Sequence, residues 1–267
     1  MGNILDQLAD YARFRVEEAE KTKPLAQVKA QALALGTADA FRFEKALADP
    51  GEVSFICECK KASPSKGLIA PDFPYLEIAK DYDAAGAAAI SVLTEPKWFL
   101  GSTEYLREIA AAVSIPCLRK DFTVDPYMIY EAKTLGASAV LLICALLDTD
   151  TVREYIQIAD SLGLSAIVEA HDEREVASAA EAGARIIGVN NRNLKDFTVD
   201  IHNSMRLRAL APAETIFIAE SGIRTPEDVE ELRRGGVHAV LIGEQLMRAP
   251  DKKAELDRLR GRDHYDS

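Results

Sequence analysis

The ionisable residues that could act on a small molecule share one kind of position in this chain: they end short apolar runs. Residues 53–67 read V-S-F-I-C-E-C-K-K-A-S-P-S-K-G. A β-branched and aromatic run passes into Ser63-Pro64-Ser65-Lys66-Gly67, the pattern of a buried strand feeding a loop. Side chains alternate along a strand, so Phe55 and Cys57 share one face, and Ile56, Glu58 and Lys60 the other. A carboxylate and an ammonium on one face of an apolar strand must be paired, because an isolated buried charge costs several kcal/mol. Such a pair either closes the end of a core or belongs to an active site, and this stretch alone does not separate the two. Other apolar runs end in Lys120, in Glu169, in Asn190 with Arg192, and in Glu220 with Ser221. Lysines and glutamates together are the reagents of general acid–base chemistry, in which one group donates a proton and another accepts it.

Those residues need a scaffold that gathers strand ends. From Val53 onward, apolar runs fall near 53–60, 88–93, 116–120, 139–144, 166–170, 186–190, 215–220 and 239–243. Amphipathic segments near 74–86, 103–113, 126–136, 149–163, 172–183, 202–210, 226–236 and 252–260 alternate with them. Gly86, Gly136, Gly163, Gly183 and Gly236 stand where left-handed C-caps are needed, and Asp125-Pro126 and Thr225-Pro226 mark helix starts. Eight β-then-α units, with strands too apolar to have a wet face, predict an α/β protein of the (β/α)8 TIM-barrel class. The competing open, doubly wound sheet would need a G-x-G-x-x-G after a strand, and none occurs. In a barrel the carboxyl ends of all strands share one mouth. A solvated strand end explains any one of these residues equally well, but not the whole set around one mouth.

Residues 1–50 form a helical extension, with Ile4, Leu5, Leu8, Tyr11 and Ala12 at helical spacing, then Leu25, Val28 and Leu33, then a short segment 40–47. We read a single domain, the extension 1–50 followed by the barrel 51–267, since no Pro/Gly/Ser-rich linker divides the chain. The extension is expected to shape the mouth, while the eight units close without it.

The 267 residues carry 32 basic and 43 acidic side chains, a net charge of −11. That balance argues against nucleic-acid partners and anionic membrane surfaces, and an anionic substrate would need a local basic pocket. Cys57, Cys59, Cys117 and Cys144 lie in apolar runs without zinc-ligand spacing, so no metal is expected. Reduced thiols, no bilayer-length apolar stretch and no export signal lead us to expect a cytoplasmic protein.

Two turns suggest a phosphate. Ser221-Gly222 after the seventh strand and Gly243-Glu244 after the eighth can bring backbone N–H groups to an anion, with Glu244 contributing its backbone and not its side chain. Ser63 and Lys66 belong to the loop after the first strand, a cover for the mouth. Trp98, Phe99 and Phe122 offer aromatic surface at the same rim, suited to a planar ring, although packing is the ordinary use of such residues.

The segments E-C-K-K-A-S-P-S-K-G-L-I, S-V-L-T-E-P-K-W-F-L-G-S, L-R-K-D-F, V-E-A-H, N-N-R-N-L, E-S-G-I and L-I-G-E occur here in that order at the predicted strand ends. In this the chain resembles the indole-3-glycerol-phosphate synthases of tryptophan biosynthesis, over nearly its whole length. Cys57, Cys59, Trp98 and Ala170 depart from the usual residues, and none of them removes a polar group of the site. The resemblance implies a carbon–carbon carboxy-lyase that takes a small phosphorylated substrate and no cofactor. It implies Lys120 as general acid in ring closure, with Glu169 and the Lys60/Glu58 pair sharing the dehydration. Asn190 and Arg192 would orient the substrate, Glu220 would hold Lys60 or a sugar hydroxyl, and Lys60, Ser221, Gly222, Gly243 and Glu244 would surround the phosphate. A monomer is expected, and association with other tryptophan-pathway enzymes is left open. The alternatives are another phosphosugar barrel of the phosphoribosylanthranilate isomerase type, which would need a Cys facing an Asp, or a catalytically idle barrel that binds a phosphometabolite.

Overall fold

The computed structural model describes residues 4–48, 51–192 and 198–262. Asn193 and Leu194 of the N-N-R-N-L motif, and the outermost residues of the predicted extension and barrel, lie outside them. Among the described residues eight parallel strands close into a barrel: β1 (Ser54–Cys59), β2 (Ala89–Leu93), β3 (Cys117–Lys120), β4 (Ala139–Ile143), β5 (Ser165–Ala170), β6 (Ile186–Asn190), β7 (Ile216–Glu220) and β8 (Ala239–Ile242). Strand β1 completes the ring, with Ile56 registered to Leu241 of β8 on one side and to Ala89 of β2 on the other.

Three helices precede the barrel, α1 (Ile4–Thr22), α2 (Leu25–Ala34) and α3 (Arg42–Leu47). Around it run α4 (Tyr75–Ala84), α5 (Thr103–Ala112), α6 (Pro126–Thr134), α7 (Thr149–Ser161), α8 (Glu173–Glu181), α9 (His202–Arg208), α10 (Pro226–Arg234), α11 (Glu244–Arg248) and α12 (Lys252–Leu259). The five cap glycines all have positive φ, and Asp125 and Thr225 accept the N–H groups of Tyr127 and Asp228. Helix α11 is too short to show a period, so the sequence pattern does not reveal it.

The barrel separates two apolar layers. Phe55, Cys57 and Cys59 point outward into the packing between strands and helices, and burial pushes both thiols up from the ordinary value, which leaves them protonated and inert. Inward-facing Ile56, Leu118, Ile167, Ile186 and Ile218 fill the interior. Each such side chain contributes about 1.5–3 kcal/mol by leaving water. This layer fixes the site, because one step of alternation beyond Ile56, Leu118, Ile167 and Ile218 is an inward residue nearer the mouth, Glu58, Lys120, Glu169 and Glu220 in turn, while beyond Ile186 it is Gly188.

The extension grips both ends of the barrel. Phe43 and Leu47 of α3 are fully buried in the same interior layer as Ala89, Ala139 and Ala239, residues that begin their strands. Helix α3 therefore forms the barrel floor, and Arg185, just before β6, pairs with its Glu44 at 2.8 Å. The eight strands pair with one another without a residue of the extension, and α3 covers the floor they leave, so deleting the extension would open that floor to water. At the other end, Arg15 of α1 reaches Asp121, one residue past β3, with contacts of 2.6 and 3.0 Å.

Candidate active site

The residues that end the strands converge on a cavity of about 450 Å³ at the carboxyl face of the barrel. Its centre is Lys120. The Nζ donates to Glu220 Oε2 at 2.7 Å and to Glu169 Oε2 at 3.1 Å, bringing β3, β5 and β7 together across the mouth. Burial works against the ammonium, but Glu220, then Glu169 and Glu58, outweigh it and hold Lys120 well above its ordinary value. It is charged at any ordinary pH.

One lysine between two buried carboxylates cannot satisfy both equally. For Glu169, burial opposes ionisation, but Lys120 and then His171 prevail and its pKa falls. For Glu220, burial dominates, Glu169 and Glu58 add to it against Lys120, and the carboxyl is pushed up to about 7. The shorter contact thus belongs to the carboxyl that is harder to ionise. The two titrate as a unit: the first charge forms readily beside the ammonium and the second is resisted.

Lys60 forms a separate pair with Glu58, Nζ to Oε1 at 2.7 Å, and Ser91 donates to the other oxygen of Glu58 at 3.2 Å. Glu220 therefore holds Lys120, and of the expectation that it holds Lys60 or a sugar hydroxyl the first half is corrected: Lys60 is paired with Glu58 beside it, whereas Lys120 reaches Glu220 from four strands around the barrel, on the far side of the mouth. Gly243 is packed against this pair, and a Cβ there would sit 2.6 Å from Glu58 Oε1 and 3.0 Å from Lys60 Nζ. Only glycine lets the β8 turn lie this close.

Ser63, Phe99, Phe122, Asn190, Arg192, Ser221, Gly222 and Glu244 also line the cavity. The Phe99 and Phe122 rings stand 6.0 Å apart. Lys66 lies 3.9 Å from Glu244, so the loop after β1 reaches across to the loop after β8. Trp98 is not brought to the cavity. The buried carboxylate of Glu95 accepts the N–H groups of Lys97, Trp98 and Phe99 at 2.9, 2.7 and 2.9 Å, a tight turn that sends Phe99 inward. The indole ring goes to the edge of Tyr11 on α1, with centroids 5.6 Å apart. Helix α1 itself adds Ile4, Leu5 and Leu8 to the cavity wall.

Residues 5–259 match the protein family described as Indole-3-glycerol phosphate synthase. The chain belongs to the indole-3-glycerol-phosphate synthase family. A relative of that name from Ruminiclostridium cellulolyticum is 63% identical over 258 residues, covering 97% of this chain and 99% of the relative. Another, from Endomicrobium trichonymphae, is 53% identical and covers 92% of this chain and 95% of its own length. Among solved structures, a 3-hexulose-6-phosphate synthase aligns with a TM-score of 0.64 at 14% identity over 79% of this chain and 99% of its own. A tryptophan synthase complex from Pyrococcus furiosus aligns at 0.59 and 15%, over 79% of this chain and 98% of that one. Those two likenesses bear on the fold alone.

Sequence reasoning missed three contributors to this synthase site. Asp121 stands in the L-R-K-D-F motif without a task that the sequence alone assigns. It is fully buried, and despite that burial Arg15 first, then Arg119 and Thr94, hold its carboxyl down at about 2, so α1 is tethered through a permanent ion pair. Glu95, two residues past β2, shapes the turn that presents Phe99. His171 stands one residue past β5, near Glu169, with Nε2 3.4 Å from Glu169 Oε1. A strand-end rule applied to every polar residue of the seven motifs would have found all three.

Proposed function

We propose that Lys120 is the general acid and Glu169 the principal base of the reaction, with Lys60 and Glu58 serving the sugar-phosphate end. The chain is a lyase of tryptophan biosynthesis. Its reaction converts 1-(2-carboxyphenylamino)-1-deoxyribulose 5-phosphate to indole-3-glycerol phosphate with loss of carbon dioxide and water. The observation that carries the assignment is the Lys120 ammonium held between Glu169 and Glu220 where it faces the cavity. As the anthranilate carbon attacks the ketone, charge develops on the carbonyl oxygen. An alkoxide is basic enough to take a proton even from a raised ammonium. Loss of the carboxyl group as carbon dioxide then leaves a 3-hydroxyindoline, whose tertiary hydroxyl must depart with a proton as water, a second acid task that suits Lys60, and Glu169 takes up the ring proton released as the indole forms.

The same reading sets the aromatic part of the substrate between Phe99 and Phe122 and its phosphate against the Ser221-Gly222 and Gly243-Glu244 turns, with Lys60 and Lys66 supplying positive charge to an acidic molecule. Asn190 accepts the Arg192 N–H at 3.1 Å and so shapes the turn from which Arg192 orients a substrate oxyanion. We read the extension and barrel as one unit that works as a monomer in the cytoplasm. Four free thiols in the chain fit a reducing compartment, and among the described residues no helix is long and apolar enough to cross a membrane.

Lys120→Met tests the central assignment. It keeps the stem and removes the donor, so turnover, followed by the rise of indole fluorescence, falls by at least about a hundredfold while the Michaelis constant changes far less. Lys120→Arg recovers little, because guanidinium releases its proton too reluctantly. A variant that lost only affinity would make Lys120 a substrate anchor.

A further inference from the structure

We propose that His171 is a positioning residue that keeps Glu169 ionised and aimed into the cavity, and that Glu175 clamps it for this task. The inference rests on Glu169 as the base. His171 follows β5 by one residue, and its backbone N–H donates to Glu175 Oε2 at 2.8 Å. The same oxygen lies 3.1 Å from its Nδ1. Two contacts to one carboxylate from the first turn of α8 fix the ring on its Nδ1 side, and Asn203 of α9 donates to the His171 carbonyl at 3.4 Å. The other ring nitrogen, Nε2, then has one direction left, toward Glu169 Oε1, the oxygen that Lys120 does not hold.

Nε2 is buried 3.4 Å from Glu169 Oε1, an ion-pair distance without a hydrogen bond among the described residues, so a proton on it would set positive charge against that carboxylate. The charged groups facing His171 are Glu169 on its own strand, Glu175 from α8 and Glu220 from β7. Burial opposes the imidazolium, but the Glu175 contact, Glu169 and Glu220 outweigh it, and the pKa rises above the ordinary 6.5. With His171 charged, the first negative charge of the Glu169/Glu220 pair settles on Glu169, and Glu220 is the one that stays reluctant.

Two measurements decide this. In the full chain labelled with ¹⁵N-histidine, with the His171 signals assigned by their loss in His171→Gln, His171 titrates above 6.5, and Glu169→Gln lowers that titration. A His171 that titrates at or below 6.5, or is indifferent to Glu169→Gln, overturns the proposal. In the second, His171→Gln lowers turnover about tenfold, keeps the Michaelis constant within about twofold, and moves the acid limb of the turnover profile up by about one pH unit, because Glu169 now protonates more easily. A fall in turnover with the acid limb unmoved means a packing role only and overturns the proposal. Should His171→Gln not fold, Glu175→Gln, outside the cavity, gives the same shift to a smaller extent, and no shift there counts against it. If Glu169→Gln keeps its turnover, the base assignment fails on its own, and the histidine titration still decides whether the clamp exists.

Discussion

Phe43→Ala tests whether the N-terminal extension is structural as well as functional. The ring is fully buried beside Leu47 at the floor of the barrel, in contact with the interior layer that includes Ala89, Leu118 and Ala239. Removing a ring from such a site costs about 3–5 kcal/mol, the lost transfer energy plus the cavity left behind. Small facing residues such as alanine cannot lean in to fill the gap, which argues for the upper half of that range. With a urea dependence of about 3 kcal/mol per molar for a protein of this size, 4 kcal/mol moves the unfolding midpoint down by about 1.3 M. Turnover of the folded variant stays within about twofold of wild type, because α3 sits at the opposite end from Lys120. Deleting residues 1–47 removes Phe43 and Leu47 together, a loss of about 5–10 kcal/mol against a typical total of about 5–15, and should abolish cooperative folding. Urea titration followed by circular dichroism reads both. A midpoint unchanged within about 0.3 M in Phe43→Ala, or a truncated chain that melts like the parent, would refute the reasoning.

Two other outcomes follow from the charge network. Arg15→Gln breaks the tether to Asp121 and removes charged hydrogen bonds worth about 1.5–3 kcal/mol, so stability drops and the Michaelis constant rises several-fold as Ile4, Leu5 and Leu8 lose their seat; an unchanged Michaelis constant would detach α1 from substrate binding. Glu220 has its carboxyl raised from 4.5 to about 7, so the folded state holds a proton there that the unfolded chain releases, and this group costs stability as pH rises through that window. Glu220→Gln should therefore gain stability relative to wild type on going from pH 5 to pH 8 in thermal melts, and a difference independent of pH would show that Glu220 ionises freely.

The strands and most of the site were legible because a single rule covers them. Alternation inside an apolar run, counted outward from Ile56, Leu118, Ile167 and Ile218, gives Glu58, Lys120, Glu169 and Glu220 without any knowledge of distance. What alternation does not carry is the partner across the mouth, so Glu220 was matched to Lys60 or a sugar hydroxyl and not to Lys120. Trp98 was misplaced for a similar reason: its direction is decided by the Glu95 carboxylate binding three successive N–H groups, a turn that composition does not reveal. The floor was invisible because a six-residue helix has too little sequence to show a buried face, and Phe43 reads like any other aromatic. The turn after β7 does depend on glycine, but for a steric reason that a substitution such as Gly222→Val would meet first. With φ at +88° and Val199 Cγ1 2.4 Å from where a Cβ would stand, strain would come before any effect on the anion.

That floor also constrains the order in which the molecule can be made. Phe43 and Leu47 leave the ribosome before any strand exists, yet the layer they enter is finished only by Ala239 and Leu241 of the last one. Arg15 likewise waits for Asp121, 106 residues downstream. These helices, made before every strand of the barrel, are therefore among the last elements to find their seat. Until β8 closes the ring, the nascent chain carries an apolar plug with nothing to plug, and its folding depends on contacts between its early helices and its last strand.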